Sequence, residues 1–281
     1  MKLIRFGMAG EEKPGVLLED GTRLDVSATF ADYTPGFFAA GGLDQLSKIV
    51  ARGGLPKAPA EARLGPPIAR PHKFLAIGLN YRLHAQEAGL PIPEEPVLFT
   101  KATSCICGPN DDVLIPRGST KLDYEVELGL VMKNKVRYLE SEDKAMEHVA
   151  GFVLSNDVSE RNFQMERAGN WVKGKSADTF GPLGPWLVTR DEMPNYDSLE
   201  MQLKVNGETR QHSNTNDLIF GVPHIVWYLS QFMTLEPGDV IITGTPSGVA
   251  LGMKPPGWLK DGDKVELTIE GLGTQTQTIR G

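Results

Sequence analysis

The sequence predicts a mixed, β-rich α+β fold: a β core with short peripheral helices, preceded by a small, mostly β N-terminal domain. Three observations carry this. Short apolar or alternating runs outnumber helical patterns along the chain. Turn signals such as Asp20-Gly21, Gly53-Gly54 and Asn206-Gly207 recur closely. Gly (31) and Pro (20) together exceed ordinary usage, so turns are plentiful.

Bulk composition narrows the partners. The 281 residues are 40% hydrophobic and 23% charged, ordinary for a globular chain of one large domain, or one with a small companion. A net charge of −7 and a pI near 5.4 argue against nucleic acid and anionic membranes, which favour basic stripes. Residues 1–10 have no apolar signal segment and no run approaches membrane-spanning length, so a cytoplasmic protein is expected. Cys105 and Cys107 are too close for a comfortable disulfide. With no His or further Cys nearby they read as reduced, structural thiols rather than ligands of a soft metal.

Residues 1–70 read as the N-terminal unit and 71–281 as the main domain. Leu3–Phe6, Gly15–Glu19 and Thr22–Val26 are expected strands, followed by a helix around Leu43–Val50. Leu55–Pro71, rich in Pro and Ala, reads as a linker. Lys73–Gly78 is a buried strand leading into a helix over Asn80–Gly89, with Asn80 as N-cap and Gly89 as stop. Pro96–Lys101 is a strand. Ser141–His148 and Ser159–Arg167 read as helices around the buried strand Val149–Asp157. Strands at Gly184–Val188, Leu199–Val205 and Glu208–Gln211 follow, the last two a hairpin. Gly221–Met233 is the longest helical pattern, with Pro223 in its first turn. Val240–Thr243, Lys264–Ile269 and Thr274–Ile279 complete the strands.

Chemistry concentrates at Asp123-Tyr124-Glu125-Val126-Glu127-Leu128. On a strand Glu125 and Glu127 share a face. Alone, this is the pattern of a solvated strand face. Leu130, Val131 and Met132 are apolar on both faces, which points to burial, and buried carboxylates need a cation or a shifted pKa. Asp157, at the end of another strand, supplies a third carboxylate. An all-oxygen, all-anionic set suits Mg²⁺, Mn²⁺ or Ca²⁺. His84 and Glu87, three apart on a helix, are neighbours on one face. His72, His148, His212 and His224 read as surface or core residues. Gly169–Ser176 satisfies the P-loop expression, but a polar helix precedes it and Phe180–Pro185 blocks a helix after it, so nucleotide binding is set aside.

Four stretches occur in order: Asp123–Leu128, Ser155–Arg161, Gly174–Pro182 and Thr243–Val249. Together they resemble the fumarylacetoacetate hydrolase family from about Pro71 to the C-terminus, and Asn80-Tyr81 with His84 and Glu87 resembles that family's lid dyad. The resemblance implies a β-roll core, a homodimer, and Mg²⁺ or Mn²⁺ on Glu125, Glu127 and Asp157. It further implies that Lys175 stabilises developing negative charge, that Gln164 and Thr245 contact substrate, and that Thr179 lies behind the metal. Asn80 stands where larger members have a further Asp ligand, and Leu83 where many have an acidic lid residue. Lys101, just before a loop, is a candidate contact for a substrate carboxylate.

The expected activity is metal-dependent cleavage of a carbon–carbon bond in a 2,4-diketo acid, giving pyruvate and a carboxylic acid. His84, polarised by Glu87, would act as base on water. The whole-length pattern is most similar to members acting on 2,4-diketo-3-deoxy sugar acids. Oxaloacetate decarboxylation, isomerisation of a hydroxy-dienedioate, and a non-catalytic metal-binding scaffold are the alternatives.

Overall fold

A computed structural model describes residues 1–281 except Ala88 and Leu90. Its frame is a large mixed sheet. In chain order the strands are β1 (Lys2–Phe6), β2 (Lys13–Leu17), β3 (Arg23–Asp25), β4 (Leu64–Gly65), β5 (Phe74–Gly78), β6 (Val97–Lys101), β7 (Val126–Met132), β8 (Val149–Asn156), β9 (Leu187–Thr189), β10 (Glu200–Val205), β11 (Glu208–Asn214), β12 (Val240–Ile242), β13 (Lys264–Ile269) and β14 (Gly273–Arg280). The sheet runs β3-β2-β1-β9-β8-β7-β12-β5-β6, with β4 against β1. A second sheet, β11-β10-β13-β14 with the two-residue strand Val113–Leu114 parallel to β14 at its edge, packs its apolar face, including Leu203, Val265 and Leu267, into the same core. Two sheets sharing one core, with few and short helices, are the β-rich α+β architecture the sequence predicts.

β7 is central. All seven of its residues are buried, between β8 on one side and β12 on the other. That explains its apolar run on both faces: neither face meets water.

Helices α1 (Pro35–Ala39), α2 (Gly42–Arg52), α3 (Arg82–Glu87), α4 (Trp171–Lys175) and α5 (Val222–Phe232) lie around the sheets. Four local readings change. Leu55–Pro71 is no free linker: Leu64 and Gly65 pair with β1, and Ile68 and Ala69 are buried. Residues 1–25 add β1, β2 and β3 to the main sheet through β9, so the sheet crosses the expected boundary near residue 70. Ser159–Arg167 is a two-residue strand followed by a π-turn over Asn162–Glu166, whereas the helix expected at Ser141–His148 is present, as 3₁₀ over Glu142–His148.

The fourth is the helix read over Asn80–Gly89, which narrows to α3; Ala88 of that span lies outside the described residues. Asn80 does not cap it. Its amide donates to the carbonyls of Thr243 (2.8 Å) and Phe220 (3.0 Å) and accepts from the Phe220 N–H, so it staples the base of α3 to two loops.

Candidate active site

Three carboxylates meet because of strand register. Val126 pairs with Asn156, and one step further the Asp157 N–H donates to the Glu125 carbonyl at 2.9 Å. Residues opposed across an antiparallel ladder project to one face, so Glu125 and Asp157 lie side by side. Glu127, two residues along, joins them. Their ligand oxygens all lie within 4.8 Å of one another, and all three residues are buried. The donor set is hard oxygen only, which fits Mg²⁺ or Mn²⁺ and not a soft metal.

Cations surround this cluster. Lys175 Nζ bridges Glu125 Oε2 (2.8 Å) and Asp157 Oδ2 (2.7 Å). Lys101 Nζ holds Asp157 Oδ1 at 2.5 Å, and Arg161 spans Asp123 (2.8 Å) and Glu125 Oε1 (2.6 Å). Four buried carboxylates, counting Asp123, thus face three buried cations, one negative charge in excess. Glu127 is the carboxylate without a cation in contact. Burial, with Asp157 and Glu125 beside it, pushes its pKa well above the ordinary range. Burial would push Glu125 the same way, but Lys175 and Arg161 outweigh it and hold that carboxyl down to about 2. Burial alone would lower Lys175; Asp157 and Glu125 reverse this and keep the ammonium charged. The unmet charge sits on the one carboxylate where a further cation would relieve it. The residues fit a divalent ion.

On the other side of the cavity, α3 presents the predicted dyad. His84 Nδ1 lies 3.1 Å from Glu87 Oε2. Glu87 in turn accepts from the Gly248 N–H at 3.0 and 3.2 Å, and rests on Gly252, where an added Cβ would come 2.4 Å from Glu87 Cδ. Gly248 has φ +102°, and a Cβ there would sit 1.9 Å from the Arg210 carbonyl oxygen. Gly248 therefore requires glycine, whereas at Gly252 a side chain would displace the flexible Glu87 carboxylate. Asp123 fastens the same loop by accepting the N–H groups of Ala250 (2.7 Å) and Leu251 (3.2 Å).

Glu125, Glu127, Lys175, Arg161, Gln164, Thr245, His84 and Glu87 line one cavity of about 450 Å³, within the range of small-molecule sites. Gln164 takes a bond from Arg161 Nη1 on its carbonyl oxygen (2.9 Å), leaving the amide NH₂ as its donor end. The Thr245 hydroxyl donates to the Val126 carbonyl (3.0 Å) and accepts from Gln211 (2.8 Å), so Thr245 forms wall while its proton is committed.

Two expected residues stand elsewhere. Lys101 does not reach the cavity: its buried ammonium is taken by Asp157, the Lys175 carbonyl (2.5 Å) and the Val158 carbonyl (3.5 Å). It braces Asp157 from behind. Thr179 is not beside the carboxylates either; its hydroxyl bonds to the Asp178 carbonyl and the Leu114 N–H. Conversely, the Arg161–Asp123 pair has no predicted role. The available signal was Asp123 itself, which shares Glu125's alternation and needs a counter-charge once buried. The P-loop match holds a short helix, α4, within it, and its Lys175 faces two carboxylates, an environment that repels phosphate.

Comparison with known proteins agrees with this geometry. The sequence model of the family described as "Fumarylacetoacetate (FAA) hydrolase C-terminal" matches residues 73–280. A protein of Burkholderia multivorans, provisionally named a hydrolase, is 51% identical over 281 residues, covering 100% of this chain and 99% of that one. The structure is similar to maleylpyruvate hydrolase from Sphingobium sp. SYK-6, solved with manganese(II) and pyruvate (28% identity, TM-score 0.82, 100% and 99% of the two chains). It is also similar to 2-hydroxyhepta-2,4-diene-1,7-dioate isomerase from Mycobacterium marinum (32% identity, TM-score 0.77, 100% and 98%).

Proposed function

The chain belongs to the fumarylacetoacetate hydrolase family, and from that premise we propose that it cleaves acylpyruvates by water, releasing pyruvate and a carboxylic acid. The observation that carries this reading is the placement of an oriented His–carboxylate pair and a buried lysine on one cavity with Glu125 and Glu127, behind which Asp157 completes the carboxylate cluster. The manganese and pyruvate in the Sphingobium relative support it.

Glu125, Glu127 and Asp157 would hold a divalent cation, which supplies Lewis acidity and a template for a 2-keto acid. Glu87 orients His84 through Nδ1, leaving Nε2 to take a proton from the attacking water. Water adds to the distal carbonyl, and the carbon–carbon bond to the pyruvyl fragment breaks. The electron pair stays on that fragment as an enolate, beside the Lys175 ammonium, a fixed charge of the kind that stabilises such a leaving group. A proton delivered to its carbon gives pyruvate. Gln164, steered by Arg161, offers an amide donor to a substrate oxygen.

The same His84–Glu87 pair could instead shuttle a proton in an isomerisation, the reaction named for the Mycobacterium marinum relative. Pyruvate separates the two. With Mg²⁺ or Mn²⁺ present, the purified protein should release pyruvate from acylpyruvates, and His84→Ala should reduce turnover about 10²- to 10⁴-fold. Turnover untouched by that substitution, or a double-bond shift without pyruvate, would sink the hydrolase reading.

A further inference from the structure

The cavity is chemically divided. Around the carboxylates it is charged, while its other walls are Ile77, Phe99, Trp171, Val249, Leu251 and Met253. The aromatic part of that wall is fixed in place. Phe99 and Trp171 meet edge to face at 5.2 Å, and Trp171 lies over Gly78, where a Cβ would come 2.4 Å from its ring. The polar groups within reach are either engaged (Arg161 on Asp123, Glu125 and Gln164, the Thr245 hydroxyl proton on Val126, Glu87 on Gly248) or, as with the Gln164 amide, His84 Nε2 and the Lys175 ammonium, face the reacting end of the substrate. The apolar wall continues to the mouth, where Leu251 and Met165 are 39% and 56% exposed.

Two consequences follow for a bound substrate. A hydroxyl on the distal chain would lose water against these walls and find no partner, a cost of about tenfold or more per group. A second carboxylate has little to meet it. With all four carboxylates ionised, as metal ligation requires, the buried groups carry one negative charge in excess, so a divalent cation and one substrate carboxylate bring the site to neutrality. Beyond that, Lys254 at the cavity wall is exposed to water, where an ion pair is weak.

We propose that the site selects acylpyruvates whose acyl group is an apolar alkyl or aryl chain, over those with hydroxylated or anionic tails. This rests on the acylpyruvate reading above, and it departs from the sugar-acid substrate the sequence pattern brings to mind. Leu251, Trp171 and Phe99 are the specificity-determining side chains.

The test uses the full chain loaded with Mg²⁺ or Mn²⁺. Acetyl-, butanoyl-, hexanoyl- and benzoylpyruvate are compared with an acylpyruvate ending in a carboxylate and with a polyhydroxylated 2,4-diketo-3-deoxy acid. kcat/KM should rise about fourfold per methylene, the equivalent of ~0.8 kcal/mol each, and the hydroxylated and anionic acids should rank below hexanoylpyruvate. Leu251→Asn, at a partly exposed position, should flatten the series.

In parallel, calorimetry measures binding of 2-oxo acids from 2-oxobutanoate to 2-oxooctanoate, and of 2-oxoglutarate. None has a 4-keto group to cleave. A Kd that falls with chain length supports the apolar pocket even if no acylpyruvate is turned over, an outcome that would remove the hydrolase reading alone. Pyruvate release with a flat series, or with preference for the hydroxylated or anionic acid, overturns the inference and leaves the hydrolase reading standing. If Lys254→Met abolishes a preference for the anionic acid, the ammonium at the mouth, not the apolar wall, sets selectivity.

Discussion

Lys101 and Lys175 hold the same carboxylate from two sides: Lys101 Nζ takes Asp157 Oδ1 at 2.5 Å and Lys175 Nζ takes Oδ2 at 2.7 Å. The Lys101 ammonium also reaches the Lys175 backbone carbonyl, so the two lysines are locked to each other as well. Both are buried, yet only Lys175 lines the cavity.

This separates their roles in mutants. Lys101→Met should weaken Mg²⁺ affinity about 10- to 100-fold, the usual effect of removing a group that orients a metal ligand. Saturating Mg²⁺ should restore most of kcat without raising KM. A raised KM at saturating metal would mean that Lys101 touches substrate after all.

Lys175→Met should behave differently. Loss of a preorganised positive charge at the reacting fragment should lower kcat about 10²- to 10³-fold at any metal concentration. It also leaves Glu125 and Asp157 short of a buried partner, at a cost of about 3–5 kcal/mol. Chemical denaturation should show that loss in metal-free protein, and added Mg²⁺ should recover part of it.

Gly252→Ala tests the seat of Glu87. The new methyl would come 2.4 Å from Glu87 Cδ and push the carboxylate off the Gly248 N–H. We expect kcat to fall on the order of 10²-fold, as for a small misplacement of catalytic groups, with an unchanged melting temperature. Equal loss of kcat and of folding would point to a structural role instead.

The raised pKa of Glu127 makes metal uptake pH-dependent. A protonated carboxyl must lose its proton to ligate, so metal binding should release protons and tighten with rising pH, up to about tenfold per unit. The sign for the metal-free fold is opposite. A carboxyl whose folded pKa lies above its unfolded value of about 4.3 stabilises the fold below that pH, and the contribution fades as pH rises through the folded pKa. Calorimetry in buffers of differing ionisation enthalpy counts the protons; no release would contradict this account.

Much of this was legible in the residues, for reasons that can be named. β7, β8 and the β10–β11 hairpin carry their periodicity and turn residues locally, so their positions follow from the chain alone. Glu125, Glu127 and Asp157 stand out through the ordered set of motifs around them, since the alternation of Glu125 and Glu127 alone is that of a solvated strand face. What was not legible depends on distant partners. β1 joins β9 across more than 180 residues, and no local pattern announces that. Lys101 reads as a loop-edge lysine until the fold turns it inward onto Asp157. The short α1 and α4 form where tertiary packing, not propensity, decides.

The order of the strands in the main sheet also constrains how the protein is made. β7 receives β8 soon after it in the chain, but its other neighbour, β12, begins only at Val240. During synthesis the strand bearing Glu127 therefore keeps an open, apolar edge while more than a hundred further residues are added. Such an edge is sticky, and pairings of this separation form slowly. Fragments ending before residue 240 are therefore expected to be less soluble than the full chain, a cost of the same topology that gathers the carboxylates.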